Sequence, residues 1–198
     1  MKILLKIALL GLVLTQPAVA ELPRPIGPPV VLPQLPVDTR CEVSTSSPVI
    51  DYGNLSRGQL QDRAGGRQLT PGQRTMTLNV TCPFSQTLRL KLLGDRAANG
   101  DLRYGHRGSL SLRIVNARLD GENVQMAANR GNGRQDKAGR SELSLQPGDS
   151  ITVIRNGQPA RGKNFTARIE VEPVIPLSAA RASARETSEA RITLDLID

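Results

Sequence analysis

Apolar and polar residues alternate in short runs along most of the chain. Met76, Leu78, Val80 and Cys82 alternate with Thr75, Thr77, Asn79 and Thr81, and Leu88, Leu90 and Leu92 with Thr87, Arg89 and Lys91. Leu110, Leu112 and Ile114 alternate with Ser109, Ser111 and Arg113, and Ile151 and Val153 follow a Pro147-Gly148-Asp149 turn. Phe165, Ala167, Ile169 and Val171 alternate with Thr166, Arg168, Glu170 and Glu172, and Ile192, Leu194 and Leu196 with Thr193 and Asp195. A period of two with polar partners predicts strands that bury one face and wet the other. The stretches Gly94–Gly108 and Asn129–Gly139 are long and polar and read as loops. Ala179–Ala190 has helix-friendly composition, but its apolar residues are all Ala, so it also reads as a loop with at most one helical turn. No internal repeat is visible. The pattern predicts an all-β sandwich of about seven strands.

The N-terminal residues follow other rules. In Met1–Ala20, Lys2 and Lys6 precede the apolar run Ile7–Leu14, Pro17 breaks it, and Ala18-Val19-Ala20 has the small-x-small form of a cleavage site. This predicts a secretory signal over residues 1–20. Residues 21–40 hold six prolines (Pro23, Pro25, Pro28, Pro29, Pro33 and Pro36). Such a segment favours extended polyproline geometry and reads as an exposed arm. The predicted domain is residues 41–198. No later stretch approaches the ~18 apolar residues of a membrane-spanning helix.

Composition narrows the chemistry. Among 198 residues the aromatics are Tyr52, Phe84, Tyr104 and Phe165, so the core must come from Leu, Ile and Val. The only histidine is His106, and the only cysteines are Cys41 and Cys82, which excludes a zinc cage of several Cys and His ligands. His106 sits in Tyr104-Gly105-His106-Arg107-Gly108, a loop setting in which a lone histidine is solvated more often than catalytic. No phosphate-binding loop follows a strand and opens a helix, and Gly131-Asn132-Gly133 reads as a turn. Neither catalytic residues nor a cofactor or metal site is expected. The 26 Lys and Arg against 18 Asp and Glu give a formal charge of +8, yet the arginines are spread along the chain and no aromatic stacking set accompanies them. Nucleic acid is therefore not an expected partner. A basic exterior could still attract acidic surface glycans.

Export gives the cysteines meaning. Two cysteines in an oxidising compartment most simply form one disulfide, with a reactive free thiol as the rival reading. Closing a loop of 41 residues contributes on the order of 3–4 kcal/mol. The last alternating run ends at Ile197, and the arm before Cys41 is an unused extended segment. That inventory suggests a sandwich lacking one strand, completed by strand donation between copies. A complete sandwich closed by its own last strand fits the same pattern, and the pattern leaves both open.

Several of these motifs resemble the chaperone–usher fimbrial (pilin-like) subunits, most nearly the β-fimbrial type. Cys41-Glu42-Val43 followed by Pro48–Leu55 is similar to their first strand, and Cys82 in Leu78-Asn79-Val80-Thr81-Cys82 falls at the end of the next. Phe165–Val171, a variable loop and Ala190–Leu196 resemble their C-terminal strand pair. The resemblance covers most of residues 41–198. It implies an incomplete immunoglobulin-like β-sandwich with an N-terminal extended arm. It also implies partnership with a periplasmic chaperone, an outer-membrane usher and other fimbrial subunits, and export through the periplasm to the cell surface. By it, Cys41–Cys82 would staple the first two strands, and Ile192, Leu194 and Leu196 would border the acceptor groove for chaperone or donor strand. Val31, Leu35 and Val37 would be the donor residues. The arm's prolines and the ending Leu196-Ile197-Asp198, without a penultimate Tyr, depart from the family's pattern. They point to a minor, adaptor or terminal subunit. A glycan- or host-protein-binding adhesin module and a self-complete periplasmic sandwich are the alternatives.

Overall fold

The computed structural model describes residues 38–197, apart from 64, 137 and 181–185. The signal, most of the arm and Val31, Leu35 and Val37 lie outside the described residues. The described chain is all-β, with fourteen strand segments and one turn of 3-10 helix, Arg57–Gln59. The segments are β1 (Glu42–Thr45), β2 (Gln61–Arg63), β3 (Gln68–Thr70), β4 (Arg74–Thr87), β5 (Arg89–Gly94), β6 (Leu102–Tyr104) and β7 (Gly108–Leu119). They continue with β8 (Glu122–Asn123), β9 (Gln125–Asn129), β10 (Glu142–Leu145), β11 (Ser150–Arg155), β12 (Gln158–Pro159), β13 (Arg161–Pro176) and β14 (Ile192–Leu196). All pairings between them are antiparallel.

Two sheets enclose one core. In the larger, β13 is the axis: Phe165 is registered with Val80 of β4 on one side and with Leu119 of β7 on the other. β1 flanks β4, and β10 flanks β7, giving the order β1-β4-β13-β7-β10. The β2–β3 hairpin pairs through β3 with the last two residues of β13, Ile175 and Pro176. The smaller sheet runs β9-β11-β5-β14. Leu78 and Val80, Leu90 and Leu92, Leu112 and Ile114, Ile151 and Val153, and Phe165 and Ile169 meet between the sheets, each at most 2% exposed. Their alternating partners Arg89, Arg113 and Arg168 stay exposed. Each large aliphatic side chain buried this way contributes about 1.5–3 kcal/mol.

The number of strands exceeds the seven expected, for identifiable reasons. β9 and β10 present only two inward residues each, Met126 and Ala128, and Leu143 and Leu145, too few to announce a period. The stretch Gly94–Gly108 is not loop throughout, since it contains β6 with Leu102 buried. Pro48–Leu55 lies in no strand, and Cys82 is not at a strand end, because β4 continues to Thr87. Nor is β4 the strand that follows β1, since the β2–β3 hairpin intervenes. β7 changes face at Asn116, whose φ of 54° makes a bulge against β13 between Thr166 and Arg168. Even-numbered residues point inward before it and Ala117 and Leu119 after it. Asn tolerates this left-handed conformation better than most residues.

Candidate functional site

The two long sides of the sandwich differ. On one, β10 of the larger sheet faces β9 of the smaller, and the inward residues Leu143, Leu145, Met126 and Ala128 are at most 3% exposed. That side is sealed. On the other, β1 and β14 are the outermost strands, and they approach one another without pairing. Among the described residues each has a hydrogen-bonded neighbour on one side only, β4 for β1 and β5 for β14. The inward residues of these two strands, Val43 and Thr45 on β1 and Ile192, Leu194 and Leu196 on β14, remain half-buried. The outward residues Glu42, Ser44, Thr193 and Asp195 are exposed. Among the described residues, half-buried apolar rows on two facing, unpaired edges form an open seam in the core.

Local chemistry holds each wall in place. β1 is only four residues long and registers Glu42 to Thr45 against Thr81 to Leu78. The Cys41–Cys82 disulfide ties it to β4 at one end, with a Cα–Cα separation of 4.2 Å. The Gln86 side-chain amide lies against both sulfurs, 3.3 Å from that of Cys82. At the other end the Ser46 N–H donates to the Thr77 carbonyl and the Thr77 N–H to the Ser46 hydroxyl, both at 2.9 Å. β14 registers Ile192 to Leu196 against Gly94 to Leu90, and the Ile197 N–H donates to the Arg89 carbonyl at 3.1 Å. Gly94 is required there, since a Cβ would stand 2.5 Å from Leu102 and 3.0 Å from the Arg191 carbonyl. An edge strand displays unpaired N–H and C=O groups, so the seam offers backbone partners along both walls and apolar pockets between them. Its chemistry suits an extended segment with alternating apolar residues.

The structure thus brings Ile192, Leu194 and Leu196 to one wall of the seam and Cys41, with Val43, to the other. In sequence Val43 stands only in the Cys41-Glu42-Val43 motif and neither it nor Thr45 carries a groove role, because a single Val between Glu42 and Ser44 carries no period.

Both tyrosines lie beyond the end of the seam where β1 stops and β14 starts. The Tyr52 hydroxyl donates to the Val171 carbonyl at 3.3 Å, and the Arg74 guanidinium lies 5.7 Å from its ring centroid. Burial, with a smaller contribution from Tyr104, pushes the Tyr52 phenol up to about 12. Burial and then Asp51 raise Tyr104. His106 is exposed in the turn between β6 and β7.

No protein-family model matches the chain. Over 138 residues it is 29% identical to the uncharacterized protein YhcE of Escherichia coli (strain K12), covering 67% of this chain and 75% of that one. Among solved structures, the crystal structure of the P pilus rod subunit PapA aligns over 79% of this chain and 99% of its own, at 16% identity and a TM-score of 0.31.

Proposed function

We propose that this protein is a structural subunit of a bacterial surface fimbria, completed by a strand donated from another copy or another subunit. The open seam between β1 and β14 carries the reading, because Val43, Ile192, Leu194 and Leu196 are left half-buried while the opposite side is sealed. An added strand would pair with both edges and cover those side chains. Covering them would contribute about 25 cal/mol for each Å² of apolar surface removed from water. The motif resemblance at Cys41-Glu42-Val43 and along the two C-terminal strands, Phe165–Val171 and Ala190–Leu196, supports the same reading. On this reading a periplasmic chaperone fills the seam first, an outer-membrane usher exchanges it, and the arm over residues 21–40 supplies the donor through Val31, Leu35 and Val37. Head-to-tail donation does not close on itself, so it yields a fibre.

The test is made on material sheared from the surface of the native host and run on SDS gels with and without boiling. The expected result is a ladder of this chain that collapses on boiling. A single heat-sensitive band shared with another protein would place the chain at an adaptor or terminal position. A monomer confined to the periplasm would overturn the proposal.

A further inference from the structure

The sealed side of the sandwich carries a second feature. A concavity of about 600 Å³ lies where the loop between β9 and β10 meets the turn before β11 and the loop between β5 and β6. That volume is within the range of small-ligand sites. Its floor is a fixed ionic network. Asp149, 2% exposed, accepts the N–H groups of Gln146 at 2.9 Å and Gly131 at 3.0 Å and the Arg130 guanidinium at 2.8 Å. Arg130 also donates to the Ser144 carbonyl at 2.8 Å and reaches Asp136 at 3.4 Å, so its charge is consumed internally.

The remaining cations are different. Arg96 donates to the carbonyls of Gly100 and Pro147, which carry no net charge. Among the described residues Arg134 and Arg140 form no ion pair, and both are exposed. Their backbones are nonetheless pinned. The Arg134 carbonyl accepts the Arg130 N–H at 2.7 Å, and Arg140 exchanges two hydrogen bonds of 2.8 Å with Met126. Three arginines therefore line one basin with no carboxylate partner among the described residues. The one acid in the lining outside the network is Asp101, which accepts the Asn99 side-chain amide at 2.8 Å. The rest of the lining is mostly hydroxyl and amide, from Ser111, Ser144, Asn132 and Gln146, and contains no aromatic residue.

We propose that this basin binds an acidic polysaccharide, with Arg96, Arg134 and Arg140 taking its sulfate or carboxylate groups and the hydroxyl and amide side chains its sugar hydroxyls. Protein partners favour an apolar centre and single-stranded nucleic acids favour stacking aromatics, and the basin offers neither. Guanidiniums pair with the oxygens of carboxylate and sulfate, and here the Arg96 guanidinium and the backbones of Arg134 and Arg140 are in place before any ligand arrives. The basin is on the β9–β10 side, opposite the β1–β14 seam, so a strand filling the seam leaves it open. If the copies assemble as proposed above, a fibre repeats the site and turns weak single contacts into avid attachment. Only that last step rests on the fibre reading.

The experiment titrates the full secreted chain with a heparin-derived hexasaccharide, and with a neutral dextran oligomer as control. The wild type is expected to bind the first, less tightly as salt rises, and not the second. Arg134→Ala with Arg140→Ala is expected to weaken binding about tenfold or more. Arg118→Ala with Arg168→Ala makes the same charge change on exposed positions of β7 and β13 and is expected to leave it within about twofold. Equal losses in the two pairs, or no binding by the wild type, would overturn the proposal. Affinity per copy is read here whether the chain is monomeric or polymeric, so a failure of assembly is scored separately by the sheared-material gels.

Discussion

Asp120 and Asn164 bind each other in both directions. The Asp120 N–H donates to the Asn164 carbonyl at 2.7 Å, and the Asp120 carboxylate accepts the Asn164 N–H at 2.8 Å and the Lys163 N–H at 3.1 Å. Asp120 and Gly121, with φ of 51° and 85°, are the two turn residues between β7 and β8. The pair therefore fixes a tight hairpin to the start of β13, one position before Phe165 enters the core. The two backbone N–H groups, Asn164 first, hold the carboxyl of Asp120 below its ordinary value of 3.8. A depressed folded value means the contribution is present above about pH 4 and fades as pH falls through it. Asp120→Asn keeps an acceptor and tolerates the same φ, but does not titrate. We expect it to cost under about 1 kcal/mol at neutral pH, given the exposure, and the gap to wild type to narrow as pH falls below about 4. Melting temperatures across that range check this.

Gly162 lies beside the same hairpin. A Cβ there would stand 2.6 Å from both Leu119 and the Asp120 carboxylate. Leu119 is fully buried and cannot yield. Gly162→Ala should therefore destabilise the protein by about 1–3 kcal/mol, read as a lower urea midpoint with unchanged slope.

The disulfide acts on the weakest wall of the seam. β1 has four paired residues, and Cys41–Cys82 ties its start to β4. Cys41→Ala with Cys82→Ala releases a loop of 41 residues in the unfolded chain and should cost about 4 kcal/mol in denaturant unfolding. Normal yield and an unchanged midpoint would show that the bond has no structural weight.

Tyr52 and Tyr104 are the only tyrosines, so absorbance titration reads them without interference. Free phenols ionise near pH 10. With Tyr52 pushed up to about 12 and Tyr104 also raised, little phenolate should form in the native protein near pH 10. A raised folded value means this stabilisation is complete below the unfolded value and is lost as pH rises through the folded one. Alkaline unfolding should then begin between about pH 10 and about pH 12, with phenolate absorbance rising in step. Full ionisation near pH 10 with the fold intact would contradict the buried placement.

The strands that alternate over three or more inward residues were legible in sequence, because period two needs repeats to be seen. β4, β13 and β14 are of this kind. The face change at Asn116 hides the second half of β7, since Ala117 and Leu119 lie out of phase with Leu110, Leu112 and Ile114. Asp120-Gly121 and Asn156-Gly157 are strong two-residue hairpin signals, and they do mark the turns into β8 and β12. The seam itself depends on which strands are outermost, a property of pairing that no local pattern carries. The arginine basin likewise gathers residues from Arg96 to Asp149 through loop contacts that have no sequence period.

The seam can be tested by two neighbouring residues with opposite orientations. Leu194 points inward, half-buried opposite Val43's strand, and Thr193 points outward into solvent. A strand donated as proposed would cover the first and need not touch the second. Leu194→Glu would place a charge where the added strand excludes water, at a cost of several kcal/mol unless the carboxyl is neutralised. Before any strand arrives the same position is partly wet, so the isolated chain should tolerate the change far better than the assembled one. We therefore expect Leu194→Glu to abolish heat-sensitive assemblies of this chain on unboiled gels while the monomer still melts cooperatively. Thr193→Glu, with the same charge on the outer face of β14, should assemble as wild type. If both variants assemble normally, β14 is not an acceptor edge. If both fail, the defect lies in net charge and not in the seam.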